Sequence, residues 1–186
     1  MINKYNHIST LLFLMVLAKP LQAMPNVSEA MNVVEFQISE SQKIKLDTYS
    51  DKIILLFFGY TNCPDVCPTT LLDISKTLKD LESDAFKVQA IFVSVDHQRD
   101  KPIFMNNYVK FFDKRILGLS SDKKNIDKIT KYFKTKYALL DSQSENYIVE
   151  HSSNIYIIDT DKNVKRIIAS GLPSSEITKA VRNLLN

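Results

Sequence analysis

The chain has 186 residues, of which 45% are hydrophobic and 24% are charged, and its net charge is +3 at neutral pH. This composition predicts one globular domain with its own hydrophobic core and argues against a disordered chain. The small charge, carried by dispersed basic residues, excludes nucleic acid as an expected partner.

Residues 1–23 have the pattern of a targeting segment. Lys4 precedes an apolar run over residues 11–18, and Ala23 ends a stretch that resembles a signal-peptidase site. The run is too short to span a bilayer. We predict a signal peptide, or a short N-terminal anchor if it is not cleaved, and a mature domain that is soluble or loosely membrane-associated in the periplasm or an equivalent compartment. There, two nearby cysteines form a disulfide unless a partner reduces them.

Strand patterns dominate the start of the predicted domain, which spans residues 33–186 and follows a polar linker over residues 24–32. Residues 33–38 and 43–46 alternate apolar and polar positions, as short half-exposed strands do. The uninterrupted apolar run over residues 53–58 predicts a central strand that is covered on both faces.

Helices then alternate with strands along the rest of the chain. Apolar spacing, initial prolines and a Ser121-Asp122 cap predict helices over residues 68–81, 102–112, 121–133 and 174–185. Strands are predicted over residues 88–95, 115–119, 147–149, 155–158 and 164–169. Because strands separated by helices generally lie parallel and need cover on both faces, this order predicts a mixed sheet flanked by helices. The fold class is therefore α/β, with a thioredoxin-like fold as the expected architecture.

The only two cysteines, Cys63 and Cys67, fall in the turn between the strand over residues 53–58 and the next helix. Open α/β proteins place their sites at this edge of the sheet. Cys67 is expected at the helix N-terminus, where free amides and the helix dipole favour the thiolate. Two such thiols can bind a soft metal, cycle between dithiol and disulfide, or form a structural disulfide. The last alternative stabilises little, because the closed loop is so short.

Histidine extends the list of candidate metal ligands. The chain has three histidines, His7 in the targeting segment, His97 and His151. Two thiolates with the His151 imidazole make a three-coordinate site suited to Cu(I), and the nitrogen also allows Cu(II) to bind. A four-ligand zinc site of Cys63, Cys67, His97 and His151 is an alternative, although it lacks a second clustered pair of ligands.

Three motifs in order resemble the Sco/SenC family of copper-handling proteins for cytochrome c oxidase assembly. They are FGYTNCPDVCP over residues 58–68, VSVDHQRD over residues 93–100 and YIVEHSS over residues 147–153. The resemblance implies a thioredoxin-like copper chaperone in which Cys63, Cys67 and His151 bind one copper ion, as Cu(I) or Cu(II). It also implies delivery to the dinuclear copper site of cytochrome c oxidase subunit II, with an upstream copper donor or a thiol reductant as further partners.

The acidic motif adds Asp96 and Asp100. The resemblance implies that these residues support the metal site or dock a partner, and the alternative is that they cap the helix that begins near Pro102. The chain departs from the family pattern at His97, where proline is common, and at Glu150, where aspartate is common. Neither departure removes a proposed ligand.

The main rival function is that of a thiol-disulfide oxidoreductase with Cys63 and Cys67 as its redox pair, which would keep the cysteines of the target reduced. No other catalytic residue is predicted. General thioredoxins have a two-residue spacer and a cis-proline facing the cysteines, whereas this chain has a three-residue spacer and His151-Ser152-Ser153. A structural or adaptor domain with a permanently closed disulfide is a third alternative.

Overall fold

The computed structural model describes residues 24–144 and 146–186, and the predicted targeting segment lies outside them. The first half contains α1 (Ser28–Val33), β1 (Glu35–Gln37), β2 (Lys43–Lys45), β3 (Ile53–Gly59), α2 (Val66–Asp80), β4 (Val88–Ser94) and α3 (Pro102–Phe112). The second half contains β5 (Ile116–Leu119), α4 (Lys123–Tyr132), β6 (Tyr137–Leu140), β7 (Ile148–His151), β8 (Asn154–Ile158), β9 (Val164–Ala169) and α5 (Ser174–Leu185). None of the described helices is both long and apolar enough to cross a membrane.

The central sheet has five strands in the order β5-β4-β3-β8-β9. Strands β3, β4 and β5 run parallel, and β8 and β9 run antiparallel to their neighbours. Helices join the parallel strands, as the alternating pattern requires. Helix α2 packs against α3 and α5, and α1 packs against α4. This is the mixed, helix-flanked sheet that the order of elements predicts.

Strand β3 forms the middle of the core. All seven of its residues are buried, because the apolar run Ile53–Gly59 lies between two other strands and under helices. Its aromatic side chains pack on neighbouring elements, with Phe57 stacked on Phe92 at 5.5 Å between ring centroids. A fully buried strand leads directly to the loop with both cysteines, so that the core fixes where this loop begins.

The segment expected as a linker differs in the structure. Residues 28–33 form α1, and Val27, Ala30 and Met31 of this segment are buried. The backbone of Val27 also donates a hydrogen bond to the carbonyl of Lys162. These apolar residues are spaced three and one positions apart and cover the core. Because polar residues surround them in the sequence, composition alone predicts a linker.

A second difference concerns the segment before His151. Strand β6, for which no strand was expected, pairs antiparallel with β7 and places Tyr137 opposite His151. The two strands form a separate two-stranded sheet, here called the histidine hairpin (residues 137–151). The predicted strand pieces on either side of residue 152 therefore belong to different sheets, and His151 lies at the end of a strand.

Candidate metal centre

The structure brings Cys63, Cys67 and His151 together. One ligand atom from each lies within 4.8 Å of the others, and this is the one such group of three found among the described residues. Cys67 Sγ and His151 Nε2 are 3.6 Å apart. Residues that are 84 positions apart therefore present two sulfurs and one nitrogen to a common point.

The cysteines are placed by the end of β3 and the start of α2. Cys67 is in the first turn of α2 and is fully buried, whereas Cys63 is partly exposed. The amide of Cys67 donates a hydrogen bond to Cys63 Sγ at 3.4 Å. Both cysteines are free thiols. An N-terminal amide of the helix thus points at the exposed sulfur, as expected for a helix terminus that stabilises an anion.

Gly59 makes room for the buried sulfur. A Cβ atom at this position would lie 2.7 Å from Cys67 Sγ and 2.6 Å from the Phe92 ring, which is closer than van der Waals contact allows. Gly59 stands within the cysteine motif, but its role depends on a contact between β3, β4 and α2 that spacing along the chain does not reveal.

The imidazole of His151 is oriented for ligation through Nε2. Its Nδ1 is 3.2 Å from the carbonyl oxygen of Ser152, which can only accept a hydrogen bond, so Nδ1 carries the proton. The lone pair of Nε2 then faces Cys67 Sγ, whose thiol can donate to it at 3.6 Å in the metal-free protein. The ring also makes an edge contact with Tyr60, at 5.7 Å between centroids. Burial lowers the pKa of His151, which favours the neutral form that a metal needs.

The pKa of Cys67 corrects one expectation. Burial raises the pKa of this thiol well above its ordinary value, and the hydrogen bond from the backbone amide of Tyr60 only partly opposes the shift. The helix N-terminus was expected to favour the thiolate, but desolvation in the core is the larger effect. Cys67 therefore holds its proton at neutral pH until a cation displaces it.

Asp100 holds the cysteine loop (residues 60–65). Its carboxylate accepts hydrogen bonds from the Thr61 amide at 2.9 Å, the Thr61 hydroxyl at 2.6 Å and the Ser94 hydroxyl at 2.6 Å. Burial raises the pKa of Asp100, and these hydrogen bonds oppose the rise. The carboxylate thereby ties the loop to the end of β4.

Asp96 contacts the part of the site that carries His151. It accepts hydrogen bonds from Arg99 Nε at 2.5 Å and from the hydroxyl of Tyr147, which directly precedes β7. Asp96 and Asp100 are 0% and 3% exposed, so neither side chain is available to dock a partner. Neither caps α3, whose N-cap residue is Lys101 and has no side-chain cap. Of the roles expected for the pair, supporting the site is the one that fits these contacts.

His97 stays outside the cluster. The group that could hold a metal does not include it, and it instead lines a separate polar pocket with Glu35, Ser120 and Asp122. The four-ligand zinc alternative is therefore not supported by the geometry of the described residues.

The metal centre opens onto a surface concavity of about 700 Å³. Cys63 and His151 lie on its wall, together with Tyr60, Val66 and Lys136. The buried Cys67 is reached past these two ligands, so a second protein that enters the concavity would meet Cys63 and His151 first.

The arrangement defines a class of protein, a thioredoxin-like domain with two cysteine sulfurs and one imidazole brought together at the edge of its sheet. The model of the family described as SCO1/SenC matches residues 27–186. The chain belongs to this family, which confirms the resemblance of the three motifs.

Individual relatives agree with this assignment. An SCO2-like protein of Rickettsia conorii is 32% identical over 150 residues, which cover 79% of this chain and 70% of that protein. An SCO2 homolog of Bos taurus is 32% identical over 132 residues, which cover 69% of this chain and 50% of that protein. The chain thus spans only about half the length of the latter relative, and 57% of an SCO2-like protein of Rickettsia felis.

Solved structures confirm the predicted thioredoxin-like fold. ScoI of Bradyrhizobium japonicum, solved with copper bound, is 32% identical and has a TM-score of 0.74, with coverage of 81% of this chain and 96% of that one. Apo Sco1 of Thermus thermophilus is 28% identical and has a TM-score of 0.75, with coverage of 90% and 95%.

Proposed function

We propose that this protein is a copper chaperone that binds one copper ion through Cys63, Cys67 and His151. The observation that carries this proposal is the convergence of three ligand atoms within 4.8 Å, with Nε2 of His151 3.6 Å from the buried sulfur. Soft thiolates select Cu(I), and an imidazole also suits Cu(II). A structural zinc ion needs a fourth ligand, which the cluster does not contain.

The recipient we propose is the dinuclear copper site of cytochrome c oxidase subunit II. The open concavity beside Cys63 and His151 leaves room for ligands of a partner. Copper can then pass by stepwise exchange, in which each leaving sulfur or nitrogen is replaced by one from the recipient. Membership of the SCO1/SenC family supports this partner. We further propose that residues 1–23 direct export of the protein. The mass of the mature chain tests whether these residues are then cleaved off.

Copper titration tests the ligand set. The reduced protein is titrated with Cu(I) and Cu(II) beside the variants His151→Ala and His97→Ala. We expect the wild type and His97→Ala to bind one ion alike, and His151→Ala to lose Cu(II) affinity and its charge-transfer spectrum. Equal affinity of His151→Ala and the wild type would remove His151 from the site. Transfer to the copper-free soluble domain of subunit II then tests the recipient.

Thiol-disulfide exchange is the second candidate function, and the proximity of two free thiols favours it. In that reaction Cys63, which is the exposed sulfur, attacks the target disulfide, and Cys67 then displaces the reduced target while the pair becomes a disulfide. The raised pKa of Cys67 argues against fast exchange. If the wild type reduces the disulfide of subunit II and binds no copper, this second function replaces the first.

A further inference from the structure

The side chain of Arg99 contacts Tyr147, which directly precedes the strand that carries His151. Its Nη1 donates to the carbonyl oxygen of Tyr147 at 3.0 Å, and its guanidinium carbon is 3.6 Å from the centroid of the Tyr147 ring. The Tyr147 hydroxyl donates to Asp96, which also accepts from Arg99 Nε. Tyr147 is only 7% exposed, so these contacts are shielded from water. We call Asp96, Arg99 and Tyr147 the hairpin clamp.

The clamp is needed because the histidine hairpin is not part of the central sheet. Strand β7 pairs with β6 alone, and no ladder connects either strand to β3, β4 or β8 among the described residues. The position of His151 relative to the sulfurs therefore depends on the two-residue link to β8 and on contacts that the hairpin makes with neighbouring side chains and loops. The clamp fixes the hairpin at the start of β7, four residues before the imidazole.

The segment after β4 also contacts the cysteine loop. Asp100, next to Arg99, accepts hydrogen bonds from the amide and hydroxyl of Thr61 in the cysteine loop. The segment from Asp96 to Asp100 thus bonds to both sides of the centre. One short stretch of chain at the end of β4 therefore contacts both the cysteine loop and the residue that precedes β7.

We propose that Arg99 and Tyr147 are positioning residues that hold the His151 imidazole at the two sulfurs and thereby set the affinity for Cu(II) more than that for Cu(I). This inference rests on the proposed function. Two thiolates alone satisfy a soft Cu(I) ion, whereas Cu(II) relies on the nitrogen ligand. Loosening the hairpin therefore removes the third ligand and leaves the thiolate pair in place.

Removing one hydroxyl tests the proposal. In Tyr147→Phe the ring stays on Arg99 but the bond to Asp96 is lost, and Cu(II) affinity falls about tenfold, as for other residues that support metal ligands. The affinity for Cu(I) falls by a smaller factor, and the sulfur-to-copper band of the Cu(II) form shifts. Tyr49→Phe is the control, because Tyr49 lines a separate cavity with Ile38 and Lys52 that contains none of the three candidate ligands. This control leaves both affinities unchanged.

A double-mutant cycle separates positioning from general destabilisation. If Tyr147 acts through the imidazole, the smaller Cu(I) loss that Tyr147→Phe causes disappears in the His151→Ala background, which keeps both sulfurs. An equal loss in both backgrounds would overturn the proposal, as would wild-type Cu(II) affinity in Tyr147→Phe. Thermal unfolding of the copper-free variants checks that each one folds.

Arg99→Lys provides a second variant in case Tyr147→Phe does not fold. Lysine keeps the charge but cannot stack on the ring and bond both Asp96 and the Tyr147 carbonyl. It should reproduce the selective loss of Cu(II) affinity, and wild-type affinity would contradict the clamp. Failure of the proposed function looks different, because the wild type would then bind no copper at all.

Discussion

The cysteine loop and the histidine hairpin bring ligands to the same point by different physical means. Cys67 is fully buried between β3 and α2, two elements whose places are set by the hydrophobic core. His151 is partly exposed on a separate two-stranded sheet, which side-chain contacts and the short link to β8 attach to the rest of the domain. We infer from this comparison that the core fixes the buried sulfur, whereas the imidazole can be displaced without unfolding the protein.

The largest expected effect is the loss of a thiolate. Cys67→Ser should lower Cu(I) affinity by more than the roughly 100-fold that residues supporting a ligand can contribute. His151→Ala should lower it much less, because two sulfurs remain. Both affinities are measured by competition with a Cu(I) chelator. Equal losses in the two variants would mean that the buried sulfur and the imidazole contribute equally to Cu(I) binding, contrary to this expectation.

Filling the space at Gly59 should damage the cysteine arm through the core. Gly59→Ala drives a methyl group into Cys67 Sγ and Phe92, and overpacking of this kind costs about 1–3 kcal/mol of unfolding free energy. We expect lower copper affinity as well, since the sulfur must move. Urea denaturation and copper titration measure the two effects.

Gly118→Ala is the matched control for that substitution. Its Cβ would lie 2.8 Å from the Met105 carbonyl oxygen, so it also destabilises the fold. The added methyl group would touch none of the three proposed ligands, so the copper affinity of the folded protein should be unchanged. A loss of affinity in Gly118→Ala that matches the loss in Gly59→Ala would show that stability, and not the sulfur position, governs binding.

Weakening the anchor of the cysteine loop should have a smaller effect. Asp100→Asn removes one of the two oxygens that accept from Thr61 and Ser94, and an unsatisfied buried group costs about 1–3 kcal/mol. Because this anchor lies on the thiolate side, the affinities for Cu(I) and Cu(II) should fall together, in contrast to Tyr147→Phe. A selective loss of Cu(II) affinity in Asp100→Asn would contradict the separation of the two arms.

Copper affinity should rise with pH through the neutral range. The raised pKa of Cys67 keeps this thiol protonated in the metal-free protein, so binding releases its proton, and affinity rises about tenfold per pH unit for each proton released. The lowered pKa of His151 leaves the imidazole neutral, so it adds no proton to this release near neutrality. Chelator competition at several pH values measures how steeply copper affinity rises with pH. An affinity that does not change with pH would refute the conclusion that copper displaces a proton from Cys67.

The smallest expected effect comes from an exposed contact of the hairpin. The Tyr137 hydroxyl donates to Asp127 of α4 at 2.6 Å, on the surface. Tyr137→Phe should cost about 1 kcal/mol or less in stability and leave copper affinity unchanged. A loss of Cu(II) affinity as large as that of Tyr147→Phe would show that the hairpin is held at several points and not mainly by the clamp.

Much of the fold could be predicted from local patterns. The apolar run of β3 and the three- and four-residue spacing of α2 depend on neighbours along the chain, and the structure has both elements where they were expected. The helix over residues 28–33 and strand β6 were missed, because α1 is short and β6 alternates half-buried and exposed positions over only four residues. Such elements are stabilised by what they pack against.

The candidate ligands were named from residue chemistry, since the chain contains only two cysteines and two histidines outside the targeting segment. Their convergence was not derivable from spacing. The family resemblance singled out His151 over His97, and in the structure the pairing of β6 with β7 accompanies the placement of His151 beside the sulfurs, whereas His97 lies elsewhere. The supporting roles of Gly59, Arg99 and Tyr147 depend on contacts between distant segments and carried no local signal beyond their place within the motifs.

The sequence by itself determined the fold class through hydrophobic periodicity, the candidate sulfur and nitrogen donors through side-chain chemistry, and the family through its three motifs, because all of these are properties of short stretches of chain. Only the tertiary structure decided that these donors converge, which nitrogen faces the sulfurs and that Cys67 keeps its proton. Those properties arise from burial and from hydrogen bonds between residues far apart in the chain, and the folded core alone brings such residues together.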